Sequence, residues 1–280
     1  MDSVAVNARR RLCELASLPD EKTNLAEAAL LIAREEYPAL DIPHYLLRLD
    51  EMLPSLRRRV PENADAPRLA EAINTFLFHD LGFSGDSQAY DDPRNSFLND
   101  VLDRRLGIPI TLSTLYMELA RRIGFRVEGI GLPGHFLLKH SANGASFFID
   151  AFNAGSFLTV QDCRERVSTM YGGSVPFREE FLEPVTKRQI LTRMLCNLKG
   201  VYISLENYVK ALSATDRILL LNPDDARELR DRGLLYFKLE CFGSALRDLN
   251  AYLEKKPGAR DAPEIRRHVA RLSGLVKLMN

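Results

Sequence analysis

Cysteine is scarce in this sequence, and none occurs between Cys13 and Cys163. The four cysteines are widely spaced and form no CxxC pair, and the five histidines show no metal-ligand spacing. These absences argue against a disulfide framework and against a zinc site. We therefore expect reduced, mostly structural thiols in a cytoplasmic protein that uses no metal and no cofactor.

Neither sign of charge is in excess, because 38 Lys and Arg residues balance 38 Asp and Glu residues. No basic stripe with interleaved aromatic residues is present, so we expect neither a nucleic-acid nor a membrane partner. The longest apolar stretch, near residues 28–33, is too short to cross a bilayer, and the early charges predict no signal peptide. With 280 residues, 46% hydrophobic and 27% charged, the composition favours a globular chain of more than one domain.

The first part of the chain has the periodicity of helices. Asn24 is placed to cap a helix that begins at the next residue, and residues 42–56 and 66–81 repeat apolar side chains at three- and four-residue spacings. A loop rich in Gly, Ser, Asp and Pro follows. It ends at Asn95 or Ser96, either of which is expected to cap the next helix.

The central part changes from helix to strand. Pro109 suits the first position of a helix, and residues 110–123 predict a buried helix that Gly124 ends. Three strands are predicted to follow, over residues 125–131, 135–141 and 146–152. A helix followed by an antiparallel meander predicts an α+β fold.

A hairpin brings two polar side chains of this region together. Asn143-Gly144 is a strong signal for a two-residue turn, since both residues must adopt positive φ. With that turn Leu137 faces Asp150, so His135 and Asp150 are diagonal neighbours on one face, about 7–8 Å apart between backbones. Asp150 is then placed to orient His135, as the third residue of a nucleophile-base-acid triad does.

A structural alternative for the same pair stays open. A histidine that begins an apolar strand is often a packed ring, and an aspartate that ends one often caps a turn. A slip of one residue in the register would also place the two side chains on opposite faces of the sheet.

The C-terminal part of the chain repeats itself with a period of 34 residues, which is typical of tetratricopeptide repeats. The aligned pairs are Tyr202 and Tyr236, Tyr208 and Phe242, Ala211 and Ala245, and Pro223 and Pro257. Gly233 is the small residue expected between the helices of repeat 226–259, whereas repeat 192–225 has Lys199 there. A last helix at 263–279 is expected to cap the repeats. The repeats either hold a peptide on a concave surface or pack against their own chain.

Long central motifs carry a family resemblance. They are YDDPRNSFLNDVLDRRLGIPITLSTLYMELARRIGFRVEGIGLPGHFLL and FFIDAFNAG. With the repeats, they resemble the bacterial SirB-type family of transglutaminase-like proteins over nearly the whole chain. The resemblance implies a helical N-terminal segment at 1–90, a transglutaminase-like core related to the papain-type fold at 91–187, and an all-α repeat domain at 188–280.

The resemblance also implies a catalytic arrangement that is incomplete here. Active transglutaminase-like enzymes place a nucleophilic cysteine at the start of the core helix, where this chain has no cysteine but has Thr111 and Ser113. His135 and Asp150 match the family's histidine and aspartate. The two hydroxyls are candidate nucleophiles, or they serve as helix caps. Cys163 is a further candidate only if its loop folds back over the site.

The cleft is expected to offer further polar side chains. Asn95 and Asn99 are candidate hydrogen-bond donors beside the helix start, and Asn153 is a third candidate for binding in the cleft.

Two functions follow from these features. The first is a non-catalytic or degenerate transglutaminase-like protein, a pseudoenzyme with a regulatory role, that binds a protein or peptide through its repeats and its core cleft. The alternative is an amide or ester hydrolase or acyltransferase, with Thr111 or Ser113 as nucleophile, His135 as base and Asp150 as its orienter. The sequence favours the first and predicts no oligomeric state.

Overall fold

A computed structural model describes residues 3–142 and 145–279 of the chain. The chain forms two compact units, Met1–Met194 and Leu195–Asn280. The first unit combines helices with a small antiparallel sheet, and the second is helical. The predicted α+β class is thus confirmed. None of the described helices is both long and apolar enough to span a bilayer.

The helices of the first unit precede and flank its sheet. They are α1 (Ser3–Ser17), α2 (Leu25–Ala33), α3 (Ile42–Glu51), α4 (Leu53–Arg57), α5 (Ala66–Asn74), α6 (Leu98–Arg104), α7 (Pro109–Arg122) and α8 (Val160–Met170), and α9 (Lys187–Ser204) runs on into the second unit. The strands are β1 (Ser84–Gly85), β2 (Leu106–Gly107), β3 (Glu128–Ile130), β4 (Leu137–Ala142), β5 (Ala145–Asp150) and β6 (Ser156–Leu158).

The N-terminal helices follow the predicted periodicity but are shorter than predicted. The Asn24 side chain accepts from the N–H of Glu27, which confirms its cap. The helix predicted over 42–56 is two helices, because Pro54 has no N–H to continue the hydrogen-bond ladder. The helix predicted over 66–81 becomes a π-helical turn at Thr75–Asp80.

Helix α7 is the centre of the first unit. It begins with Pro109 as predicted, and Gly124 follows its end with φ of +80°. Most of its residues are buried, including the hydroxyl-bearing Thr111, Ser113 and Thr114. Helix α7 contacts α2, α5, α6 and the sheet, so polar side chains at its start are enclosed by protein rather than by water.

The four-stranded sheet has the order β3-β4-β5-β6 with antiparallel neighbours. Ala142 faces Ala145 and Leu138 faces Ile149, which confirms the predicted register of the hairpin. The predicted turn residues Asn143 and Gly144 lie outside the described residues. Strand β6 and the parallel pair of β1 with β2 were not predicted, because two or three residues are too few to show a period of two.

The second unit contains the end of α9 and four more helices. They are α10 (Tyr208–Leu221), α11 (Ala226–Lys238), α12 (Phe242–Lys255) and α13 (Ala262–Met279). The bounds of α10 and α12 differ by 34 residues at both ends, as the predicted period requires. Between α11, α12 and α13 lies a core of six buried residues. They are Ala226, Ala245, Leu249, Tyr252, Ile265 and Leu272.

Lys199, which departs from the repeat pattern, has a structural explanation. Its side chain is 11% exposed, and its Nζ donates to the carboxylates of Glu228 at 2.7 Å and Asp231 at 2.8 Å. Two carboxylates compensate the buried ammonium and connect α9 to α11. The position thus carries an ion cluster in the first repeat and a close helix contact, at Gly233, in the second.

We predict that Gly233→Val destabilises the second unit. A Cβ at this position would lie 2.7 Å from Cδ2 and 2.8 Å from Cγ of Leu249, so the added side chain overpacks the α11 and α12 contact at a cost of about 1–3 kcal/mol. Gly200→Val is the matched control, because Gly200 is an exposed helical glycine with no atom within 4 Å of an added Cβ. Urea unfolding compares the two variants, and equal stabilities would contradict the predicted close contact.

Candidate functional site

His135 lies in a tight turn that precedes β4. Gly134 has φ of +70°, a conformation that glycine adopts without strain, and the N–H of His135 donates to the carbonyl of Leu132 at 3.0 Å. The guanidinium of Arg193 donates to the carbonyls of Leu132 and His135 at 3.0 and 2.8 Å. These contacts fix the backbone from which the imidazole projects.

The structure brings His135 and Asp150 together. His135 Nε2 lies 3.0 Å from Asp150 Oδ1, and the two residues are 7% and 0% exposed. Asp150 also caps the short 3-10 turn Ala151–Asn153, because its Oδ1 accepts from the N–H groups of Phe152 at 3.1 Å and Asn153 at 3.3 Å. One carboxylate therefore has both roles that the sequence left open, as histidine partner and as turn cap.

Arg166 is a third member of this cluster, and the sequence did not indicate it. Its Nη1 lies 3.0 Å from His135 Nε2 and forms a salt bridge with Asp150 Oδ2. The amide of Asn153 donates to the same Oδ2 at 2.7 Å. His135 therefore bonds to one carboxylate oxygen, while Arg166 and Asn153 bond to the other.

The cluster holds Asp150 in its ionised form. Burial alone would raise the pKa of this carboxyl, but the hydrogen bond and charge of His135, the amide of Asn153 and the charge of Arg166 lower it to about 2. A buried carboxylate with these partners keeps its negative charge at neutral pH. It can therefore stabilise positive charge on its neighbours.

The two neighbours of His135 Nε2 make opposite demands on this nitrogen. A guanidinium only donates and a carboxylate only accepts, so Nε2 cannot satisfy both with one proton state. With Nε2 protonated, the imidazole donates to Asp150 Oδ1 and Arg166 donates to Oδ2. Within residues 3–142 and 145–279 there is no hydrogen bond to Nδ1 of His135. When the ring is neutral and Nε2 has the proton, Nδ1 is an acceptor available to a ligand.

Arg166 was missed because the helix that carries it was not predicted. Its sequence signal is a capping box: the hydroxyl of Thr159 accepts from the N–H of Asp162 at 3.2 Å, and the Asp162 carboxylate accepts from the N–H of Thr159 at 2.7 Å. Cys163 and Val167, four residues apart, form the buried face of this helix, α8. Arg166 projects beside that face toward the sheet.

Cys163 is a core residue rather than a nucleophile. It is 0% exposed and packs with Ile130, Leu137, Phe148 and Val167. Burial raises the pKa of its thiol to about 11, so the reactive thiolate is scarce at neutral pH. The segment around Cys163 is a helix and not the loop that the sequence suggested.

Thr111 has the capping role that the sequence offered as the alternative to catalysis. Its hydroxyl donates to the carbonyl of Asn95 at 2.7 Å and accepts from the N–H of Ile108 at 3.1 Å. The side chain is fully buried and connects the start of α7 to the preceding loop. Both its proton and its lone pair are therefore engaged with backbone.

Ser113 and Asn99 are buried with unsatisfied oxygens. Ser113 is 0% exposed and Asn99 is 4% exposed, and neither Ser113 Oγ nor Asn99 Oδ1 has a hydrogen-bond partner among the described residues. A buried polar atom without a partner is costly and unusual. Ser113 is nonetheless closed to solvent, and no hydroxyl or thiol of the described chain hydrogen-bonds to the His135 ring.

Asn95 is engaged in the structure of the loop. Its amide donates to the carbonyl of Ala89 at 2.7 Å and to Asp86 at 3.1 Å, and its oxygen accepts from Arg104 at 3.1 Å. The prediction that Asn95 or Ser96 caps α6 is wrong. Both residues lie in a 3-10 turn before it, and Phe97 precedes α6 without a side-chain cap.

The neighbourhood of His135 has an exposed apolar rim. The ring of Phe152 lies edge-on to His135 with centroids 6.2 Å apart, and Tyr90 lies edge-on to Phe152 at 6.1 Å. On another side Met170 packs so closely on Gly134 that its sulfur would lie 1.9 Å from an added Cβ. Tyr90 and Met170 are about half exposed, which gives the buried cluster a partly apolar approach. Nowhere in the described ranges do three His, Cys, Asp or Glu residues converge as a metal site.

Comparisons with known proteins agree with this architecture. Residues 43–196 match the transglutaminase-like superfamily, and residues 198–270 match tetratricopeptide repeats. The first match contains α7, His135, Asp150 and Arg166, and the second contains α10, α11 and α12. The transglutaminase-like core and the repeats predicted from sequence are confirmed, while the narrower SirB-type assignment stays a prediction.

Two bacterial relatives match this chain over most of their own length, and a human protein matches it over part of its length. A UPF0162 protein of Xylella fastidiosa is 40% identical over 262 residues, which cover 92% of this chain and 93% of the relative. A UPF0162 protein of Vibrio cholerae is 31% identical, covering 89% and 92%. Human F-box only protein 21 is 31% identical over 191 residues, which are 61% of this chain but 28% of that protein.

We predict that Asp150→Asn lowers stability in a pH-dependent way. Because the folded pKa is about 2 and the unfolded pKa is near 3.8, the unfolded chain takes up this proton first as the pH falls. The carboxylate therefore contributes about 2 kcal/mol above pH 4, which is lost as the pH approaches 2. Urea unfolding is expected to show a gap between wild type and variant that narrows from pH 5 downward. Asp91→Asn, at an exposed carboxylate, is the control; a gap independent of pH would refute the coupling.

We also predict opposite effects for the two hydroxyls of α7. Ser113→Ala removes a buried oxygen without a partner and raises stability by about 1 kcal/mol, whereas Thr111→Val removes two buried hydrogen bonds and lowers it by about 1–2 kcal/mol. Thermal unfolding measures both changes. A large loss of stability in Ser113→Ala would indicate that Ser113 Oγ has a partner after all.

Proposed function

The chain belongs to the transglutaminase-like superfamily together with the UPF0162 proteins, and from that premise we propose that it is a degenerate member that binds a protein or peptide. Two surfaces serve this function: the partly apolar surface around His135, which corresponds to the core cleft predicted from the sequence, and the tetratricopeptide helices of the second unit. In a regulatory role, the protein would act by binding its ligand in the cleft and not by catalysing a reaction.

The state of the His135 ring carries the proposal. In the neutral ring Nε2 donates to Asp150, and Nδ1 remains as an acceptor for an N–H or O–H group. A nucleophile that uses His135 as its base must come within about 3 Å of that nitrogen, at least when substrate is bound. The described neighbours place no hydroxyl or thiol there, so a ligand donor such as a carboxamide or a peptide N–H is the natural partner.

The surroundings of the ring support a peptide ligand. Tyr90 and Met170 are exposed beside a buried polar cluster, an arrangement that combines apolar contact with a few placed hydrogen-bonding groups. Asn153, which is exposed and donates to Asp150, and Arg166, which is about one quarter exposed, contribute the polar part of the rim.

The hydrolase or acyltransferase alternative has weaker support. Thr111 uses its hydroxyl to cap α7, Ser113 is closed to solvent, and Cys163 is a protonated core thiol. An alcohol needs nearly complete removal of its proton in order to attack, which demands close contact with the base. No observed contact provides that.

Partner capture with the whole protein tests the proposal. We expect the wild-type chain to retain a specific partner from a lysate of its source, and His135→Ala to recover at least several-fold less, because the acceptor in the cleft is lost. His79→Ala, at an exposed histidine, is the matched control. Circular dichroism checks that each variant is folded. Equal recovery by His135→Ala and wild type would remove the cleft from the proposal, and amide hydrolysis abolished by Ser113→Ala would restore the enzyme alternative.

A further inference from the structure

A cavity of about 620 Å³ lies in the second unit, between the beginning of α11, the end of α12 and the beginning of α13. The charged residues that line it are Arg227, Arg230, Lys256, Arg260, Asp261 and Glu264. Four cations against two carboxylates leave an excess of two positive charges. The chain as a whole has a formal net charge of zero, so this excess is a local feature.

Arg230 and Asp261 neutralise each other and form part of the wall of the cavity. Arg230 Nη1 donates to Asp261 at 2.6 Å, while its Nη2 donates to Asp231 at 2.7 Å. The hydroxyl of Tyr252 donates to the other oxygen of Asp261, and the Arg230 guanidinium lies 5.9 Å from the Tyr252 ring centroid. These contacts make a rigid floor and leave Arg230 with little charge to offer a ligand.

Three other cations have no such compensation. Arg227, Lys256 and Arg260 are exposed, and in the part of the chain that the structure describes no acidic side chain lies within salt-bridge distance of any of them. Arg266 donates to the carbonyl of Pro257 at 2.7 Å and so steadies the loop that carries Lys256 and Arg260. The three cations therefore line one cavity without a salt bridge to the protein, and Glu264 is the other carboxylate of its wall besides Asp261.

We infer that this cavity binds an acidic segment of a protein partner, with the carboxylates of the partner beside Arg227, Lys256 and Arg260. The inference rests on the proposed binding function and names the chemistry of one partner. The volume is within the range of about 300–1,000 Å³ for ligand sites. Helices α11 and α13 both begin here, and the partial positive charge of a helix start favours an anion.

A nucleic acid fits the cavity less well than an acidic peptide. Single-stranded nucleic acids are bound by exposed aromatic rings on which bases stack. Among the described residues that line the cavity, the aromatic one is Tyr252, which is 3% exposed and already occupied by Asp261 and Arg230. Carboxylates need no stacking surface, so the cavity suits them.

The test is fluorescence anisotropy with the full chain and a short labelled peptide of alternating glutamate and glycine. We expect saturable binding that weakens as ionic strength rises, since exposed charge pairs are screened by salt. Combining Arg227→Gln, Lys256→Gln and Arg260→Gln is expected to weaken binding by about tenfold, in line with modest contributions from each exposed pair. Arg247→Gln, at an exposed arginine of α12 outside the cavity, is expected to leave binding unchanged.

A second peptide, with glutamine in place of glutamate, separates the possible failures. Equal binding of both peptides would overturn the inferred acid selectivity while leaving the proposed peptide binding intact. Failure of the acidic peptide to bind, or equal weakening by Arg247→Gln, would overturn the cavity as its site, and the capture experiment with His135→Ala would still stand on its own. Displacement of the peptide by a single-stranded oligonucleotide at equal concentration would assign the cavity to nucleic acid instead.

Discussion

The buried carboxylate of Asp150 is shared by three parts of the first unit. It accepts from the backbone of the turn that follows β5, from the imidazole before β4, and from Arg166 on α8. Its lowered pKa corresponds to a contribution of about 2 kcal/mol to the free energy of unfolding, which the loss of this charge would remove. The position of α8, the shape of the turn and the orientation of His135 therefore depend on the same ionised group.

The sequence predicted this site in part, for reasons that are local. The Asn143-Gly144 signal specifies the hairpin register, so the meeting of His135 and Asp150 was predictable. The contribution of Arg166 was not, because it depends on how α8 packs against the sheet. The capping box of α8 could be recognised in the sequence. Knowing that a helix is present does not, however, place the guanidinium of Arg166 beside an imidazole 31 residues earlier in the chain.

The same limit applies to helix lengths and to the repeats. Pro54 separates α3 from α4 because it lacks a backbone N–H, an effect that the spacing of apolar residues does not show. The caps expected from Asn95 and Ser96 do not form, and the Asn95 side chain instead bonds to Asp86 and Arg104. In the repeats the 34-residue period predicted the helices well. Lys199, where that pattern expects a small residue, is accommodated by carboxylates from α11, a compensation visible only when the helices are adjacent.

A histidine-aspartate pair that lacks the nucleophilic thiol of its family could be taken as evidence that some catalysis remains. In this chain Asp150 has a structural role that is independent of chemistry, since it caps a turn and neutralises the partly exposed guanidinium of Arg166. His135 fills the remaining position on the carboxylate, so the pair is explained without turnover. The group not explained by structure is the free Nδ1 acceptor beside an exposed apolar rim. Because an acceptor without a donor is costly once water is excluded, a ligand that covers the rim must supply an N–H or O–H group to it.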